Sequence, residues 1–378
     1  MVAANEWAQA KNILCVRLDS LGDVLMTTPA LRALKGSRPD RRLTLLTSSA
    51  GGPVAALIPE IEQVLVYDAP WLKATDPRTN SQPELAIAAQ LRQAGFEAAV
   101  IFTVYSQNPL PTAMLCYLAD IPLRLAYCRE NPYQLLTHWL PDPEPDHCLR
   151  HEVRRQLDLV AAAGCQTADE RLSLRLPAEA HGQVRSLLRE VGVNLEQPWL
   201  VIHPGASAPS RRYPAEHFAE VARRLQVEQG YQILFTGTGA EADLIDLIRT
   251  EMTGPAYSLA NRLDLGQFAA LLALSPLLIS NNTGPVHLAA AVGTPMVDLY
   301  ALTNPQHTPW AVPHRLLFHD VPCKYCYKSV CPEGHHNCLR LVSPQMVVQA
   351  VSSLLAETAQ AKPGRNPQES PVKYIGAS

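Results

Sequence analysis

The sequence carries no marked excess of either charge. Its 32 Lys and Arg nearly balance 35 Asp and Glu, leaving a net charge of -3 over 378 residues. A general nucleic-acid binder shows a strong basic excess, so no nucleic-acid partner is expected. Any anionic ligand must then be held by local groups. Charged residues are scarce, at 18% against 47% hydrophobic. That balance excludes a wholly disordered chain and supports a buried core. No apolar run reaches the roughly 18 residues that suggest a membrane-crossing helix. The opening MVAANEWAQAK lacks the basic-then-apolar order of a secretory signal. The expected location is the cytoplasm, with peripheral contact at a membrane surface left open. Glycine is outnumbered, 19 against 32 prolines, which predicts long, stiffened loops. No P-loop and no GxGxxG occupies a phosphate-binding position, so nucleoside-triphosphatase and standard dinucleotide readings lack support.

What is present suits two domains. Short apolar runs alternate with helical stretches: ILCVRL from Ile13, RLTLLTS from Arg42, QVLVYD from Gln63, AAVIFT from Ala98 and RLAYC from Arg124. Helices are predicted over Gly22–Lys35, Glu84–Ala94 and His151–Ala163. After a Pro-rich loop at Pro141–Pro145, the alternation restarts with strands at Trp199, Tyr231, Pro276 and Pro295. Helices follow at Ala215–Gln229, Ala240–Thr250, Leu265–Ala273 and Pro285–Val292. Such order implies parallel sheets covered by helices on both faces, an α/β class with two doubly wound halves. The expected division is 1–178, 179–361 and a disordered tail over 362–378. Ligands of such sheets sit beyond the carboxyl ends of the strands.

Three motifs lie there. In RLDSLGDVLMTTPALRAL, from Arg17, a strand meets a helix through Ser20 and Gly22. Asp23 falls in the first helical turn, where it serves as a proton acceptor or complements the helix dipole. Asp19 reads as a cap of the same turn. In HPGASAPSRRYP, from His203, small residues, Ser207 and Arg211 suit a phosphate. His203 reads as structural. In SNNTGPVHLAAAVGTP, from Ser280, Asn282, Thr283, Gly284 and Pro285 open a helix whose N-terminus favours anions, with His287 one turn in. Glu241, in GTGAE, is a candidate for a ribose hydroxyl or for capping.

Together, in this order, these segments resemble glycosyltransferase family 9, the ADP-heptose:lipopolysaccharide heptosyltransferases. HEVRRQLDLVAAAG, from His151, is similar to that family too. The resemblance implies a GT-B fold, with two Rossmann-like domains facing across a cleft. The acceptor would bind mainly to the first domain and the nucleotide sugar to the second. It implies an inverting transfer of heptose from an ADP-activated donor to a lipopolysaccharide-core or lipid-linked acceptor, with no catalytic metal. By motif, Asp23 would be the general base, with Ser20 and Gly22 in its acceptor-side loop. Arg211 would neutralise the leaving diphosphate. Thr283 and Gly284 would hold that group, supported by His287. Asn282 departs from the family pattern, which commonly has Asp there. Two alternatives follow: a GT-B transferase with another nucleotide-sugar donor in polysaccharide or glycolipid synthesis, or a non-catalytic sugar-nucleotide-binding protein.

Nine cysteines, an odd number, argue against a full disulfide framework. Four are close together: Cys323, Cys326, Cys331 and Cys338, with His335 and His336 among them. The C-x2-C-x4-C-x6-C spacing fits a structural zinc or iron site, disulfide pairs or free thiols.

Overall fold

The computed structural model describes residues 4–73, 75–252, 254–360 and 374–376. The chain forms two compact units, Met1–Arg175 and Leu176–Ser378. In the first, strands β1 (Asn12–Arg17), β2 (Arg42–Thr47), β3 (Gln63–Val66), β4 (Ala98–Ile101), β5 (Leu123–Cys128) and β6 (His138–Pro141) form one sheet. Its order is β3-β2-β1-β4-β5-β6, and every pairing is parallel. The helices are α1 (Ala4–Gln9), α2 (Leu21–Gly36), α3 (Gly52–Ala55), α4 (Gln82–Ala94), α5 (Leu110–Leu118) and α6 (Glu152–Ala161). Strand β1 is central and buried along nearly its whole length, which is why its sequence is an unbroken apolar run apart from its ends.

Helix α2 passes through Pro29 without ending. Proline lacks the N–H that would bond the carbonyl of Leu25. The Thr28 hydroxyl donates to that carbonyl instead, at 2.7 Å. The apolar face of the sheet closes over a core that includes Leu14, Val16, Leu91, Ile101 and Ile121.

The second unit contains β7 (Trp199–His203), β8 (Gln232–Phe235), β9 (Ala256–Ser258), β10 (Leu278–Asn281), β11 (Met296–Leu299), β12 (His314–Phe318) and β13 (Tyr374–Gly376). The parallel sheet runs β13-β12-β11-β10-β7-β8-β9. Its helices are α7 (Ala180–Glu190), α8 (Ala215–Gln229), α9 (Ala242–Thr250), α10 (Leu265–Leu274), α11 (Gly284–Val292), α12 (Asn337–Arg340) and α13 (Pro344–Gln360). Phe218, Phe235, Ile279, Val297 and Leu354 belong to its core. Order reverses between β10 and β7, so the loops after these strands flank a topological switch point.

The tail departs from expectation at one place. Tyr374–Gly376 pairs with Leu316–Phe318 as an edge strand. A β-favouring Tyr-Ile pair makes that possible in an otherwise polar segment. The rest of the tail expected to be disordered lies outside the described residues. No described helix is long and apolar enough to cross a membrane.

Candidate functional site

Each unit carries chemistry at the carboxyl ends of its strands. In the first, Arg17 at the end of β1 is fully buried. Its guanidinium meets Asp19 at 2.9 Å, Asp23 at 3.1 Å and Glu152 at 2.8 Å. A buried cation requires such pairing. Glu152 also accepts from Gln156, at 2.6 Å. The α6 segment thus supplies the base of the network, which accounts for buried Glu152 and Gln156, while buried Arg155 pairs instead with Asp142 and Glu144. Asp23 Oδ2 accepts from the Ser20 hydroxyl at 2.6 Å and the Ser20 amide at 3.2 Å. Asp23 therefore closes the first turn of α2 and also holds Arg17. Gly22, beside it, is buried in that turn.

Asp19 does not cap the turn. Ser20 is the N-cap, and the Asp19 carboxylate instead pairs with Arg17 and accepts from the Gln107 amide. A buried guanidinium and the half-buried Gln107 amide outcompete a local cap. Burial pushes the Asp19 carboxyl up to about 6, against the pull of Arg17, and the neighbouring Asp23 adds to the rise. Asp19 lines a cavity of about 210 Å³ with Trp71, Leu72, Phe102 and Gln107.

The second unit holds a cavity of about 400 Å³. Leu259, Leu263, Leu265 and Phe268 give it an apolar wall, while Ser207, Thr238, Glu241, Asn261, Asp264 and Thr283 bring polar groups. Glu241 Oε2 accepts from the Thr238 amide at 2.7 Å, so the capping role is realised while the carboxylate also faces the cavity. A side chain on Gly205 would overlap that carboxylate. The absence of a Cβ is what lets Glu241 lie over the loop. His203 stacks obliquely on Phe268, with ring centroids 5.7 Å apart, and its Nδ1 lies 3.2 Å from the Thr236 hydroxyl. Burial lowers the His203 pKa, against the raising influence of Glu241. The imidazole lines the cavity as well as packing in the fold.

The loop carrying Ser207 and Arg211 is clamped at both ends by one residue. Asn281 Nδ2 donates to the Pro204 carbonyl at 2.7 Å, and Asn281 Oδ1 accepts from the Tyr213 amide at 3.0 Å. Arg211 ends a 3-10 turn, Pro209–Arg211. Among the described residues its side chain has no hydrogen bond or ion pair. It nevertheless lies close enough to buried Asp298 and Tyr300 to act on both electrostatically.

Ser207, Glu241, Thr283 and Pro285 line the same cavity. Arg211, Asn282, Gly284 and His287 are not in its lining. Gly284 begins α11, with Thr283 as N-cap. His287 is buried one turn in, edge-on to His307 at 6.5 Å. Phe268, Asn281 and Asp298 escaped the sequence reading. Helical or strand periodicity makes each look like core, and only the clamp and the cavity reveal their roles.

Among the described residues no group of three or more His, Cys, Asp or Glu is gathered to hold a metal ion. The four clustered thiols are free. Cys323 Sγ lies 3.8 Å from His335 Nε2, while Cys338 packs against the apolar cores beside it. Their loop serves as a strut. Ser210 donates its amide to the Ser329 carbonyl at 3.0 Å and its hydroxyl to the Lys328 carbonyl at 2.7 Å.

Two units of doubly wound parallel sheet, with polar groups beyond the strand ends, give the GT-B fold shared with solved heptosyltransferases. The model of glycosyltransferase family 9 (heptosyltransferase) matches residues 85–337, and the chain belongs to that family. It is therefore a glycosyltransferase. Lipopolysaccharide heptosyltransferase 2 of Salmonella typhimurium is 24% identical, over 91% of this chain and 99% of its own length. A family 9 glycosyltransferase from Veillonella parvula superposes with a TM-score of 0.77 at 23% identity, covering 92% of this chain and 97% of that one. E. coli ADP-heptose LPS heptosyltransferase II gives 0.71 at 22% identity, with 92% and 99% covered.

Proposed function

We propose that the chain moves a heptose, with inversion, from ADP-heptose to a lipopolysaccharide-core or lipid-linked sugar acceptor. The observation that carries this reading is the 400 Å³ cavity at the switch point of the second sheet. Its apolar wall suits a purine, and Glu241 suits a ribose hydroxyl. The α11 N-terminus offers a favourable potential to a diphosphate, and Arg211 offers an uncommitted cation. A relative whose name includes ADP-heptose supports the choice of donor.

In the proposed reaction an acceptor hydroxyl oxygen attacks the anomeric carbon. The bond to the ADP oxygen breaks, and its electron pair leaves with ADP. Asp23 takes the hydroxyl proton, while Arg211 and the α11 terminus stabilise the departing diphosphate. The proposed transfer needs no catalytic metal. The cysteine strut would be the place for a structural zinc or iron, which elemental analysis before and after chelation tests. The acceptor would be met at the cytoplasmic face of the inner membrane, by peripheral contact.

Asn282, where the resemblance expects Asp, favours a second reading with another nucleotide-sugar donor on the same fold. Thermal stabilisation by ADP, UDP, GDP and their sugars separates the two. A shift confined to ADP and ADP-heptose supports the first reading. A shift with UDP or GDP compounds replaces the donor. No shift with any of them removes the assignment of the cavity.

A further inference from the structure

Asn282 directly follows β10, and Asp298 lies within the neighbouring strand β11, paired with Ser280. The Asn282 amide nitrogen donates to Asp298 Oδ2 at 2.8 Å and to the His307 carbonyl at 3.0 Å. Both of its N–H groups are thereby used. Turning the amide over would set its oxygen against the His307 carbonyl, an acceptor whatever the state of Asp298. The arrangement therefore fixes which way the amide points. No described residue donates to Asn282 Oδ1. The amide is next in sequence to Thr283, which lines the cavity.

Asp298 itself is fully buried, and its second oxygen, Oδ1, has no hydrogen-bond partner. Burying a carboxyl with one unpartnered oxygen carries a stability cost. A purely structural core position would be better served by an apolar residue. Among the described residues its side chain is hydrogen-bonded to Asn282, and Arg211 acts on it electrostatically.

We propose that Asp298 is a positioning residue that locks the Asn282 amide, so that Oδ1 is kept as a neutral acceptor for a hydroxyl of the donor's glycosyl group. The inference rests on the nucleotide-sugar reading above. It assigns donor-sugar recognition to a pair of residues rather than to one. The pair places its carboxyl on β11 and its amide in the loop directly after β10.

The test is calorimetric titration of the full-length protein with ADP-heptose and, separately, with ADP. Asp298→Ala should weaken ADP-heptose binding by about tenfold, the scale of one hydrogen bond, while ADP affinity stays within about twofold. Asn282→Asp alone should be at least as damaging, because two carboxyls then meet in a buried place. Combining Asn282→Asp with Asp298→Asn restores a donor against an acceptor between the two side chains but leaves a carboxylate oxygen facing the His307 carbonyl, so it should recover part of the loss seen in Asn282→Asp. Melting curves identify any variant that fails to fold, and Asp298→Leu, which removes the acceptor while filling the space, is the substitute for Asp298→Ala.

Unchanged ADP-heptose affinity in Asp298→Ala overturns the proposal. So does an equal loss for ADP and ADP-heptose, or a double variant no better than Asn282→Asp alone. Wild-type protein that binds neither ligand overturns the donor reading and this proposal together. Wild-type protein that binds ADP-heptose while the pair shows no coupling overturns the pairing alone.

Discussion

Asp23 serves two masters within α2. Its Oδ2 closes the first turn through Ser20, and its Oδ1 meets Arg17. Asp23→Asn keeps an oxygen for the turn but loses the proton acceptor. In steady-state assays kcat should fall by roughly 10²–10⁴-fold with ADP affinity retained. Turnover at the wild-type rate would remove Asp23 from the chemistry. Arg211 calls for the opposite pattern. Arg211→Ala should weaken donor binding by about 1.5–3 kcal/mol, the scale of a charged hydrogen bond, and leave the melting temperature unchanged. A normal donor KM in that variant would count against a diphosphate contact. At this scale the sequence was partly legible. Ser207, Glu241, Thr283 and Pro285 announced themselves by following strands, and they share one cavity. Asn281 and Asp298 did not. A polar residue in or near a strand looks like any other until its partners in the loops beyond neighbouring strands are known.

Elements were more legible than their ends. Runs such as WLVIH and LISN are buried on both faces, and such runs are recognisable without a structure. Helix α8 begins and ends where its pattern predicts, and Gly230 terminates it in a left-handed conformation, φ 73°. The edge strands β6 and β9 were missed because short edge segments lack a continuous apolar run. The Gly205 turn offers a test at this scale. A Cβ there must displace Glu241, so Gly205→Ala should raise the donor KM about tenfold while the acceptor KM stays constant. An unchanged donor KM would show that Glu241 plays no part in nucleotide binding.

The buried charges set how stability of the whole molecule depends on pH. Burial pushes Asp298 up to about 8 from its ordinary 3.8, against the opposing pulls of Asn282 and Arg211. The folded state then holds the proton more tightly than the unfolded state does. The contribution is complete below about pH 4 and is lost as pH rises through about 8. Asp19, raised to about 6, acts in the same direction over a narrower window. Denaturant titrations of the ligand-free protein should show a declining contribution across this range, and Asp298→Asn should flatten it. An identical slope in that variant would mean that Asp298 does not titrate there.

The strut formed by the cysteine loop makes the protein its own reporter. Cys323, Cys326 and Cys331 are partly accessible, and their loop is bonded through Ser210 to the turn that ends at Arg211. Exposed Cys148, in the other compact unit, supplies an internal reference. Alkylation followed by peptide mass spectrometry should then show slower modification of the loop thiols, relative to Cys148, as ADP-heptose occupies the site. Occupancy would be read from a protection ratio, with no acceptor and no turnover required.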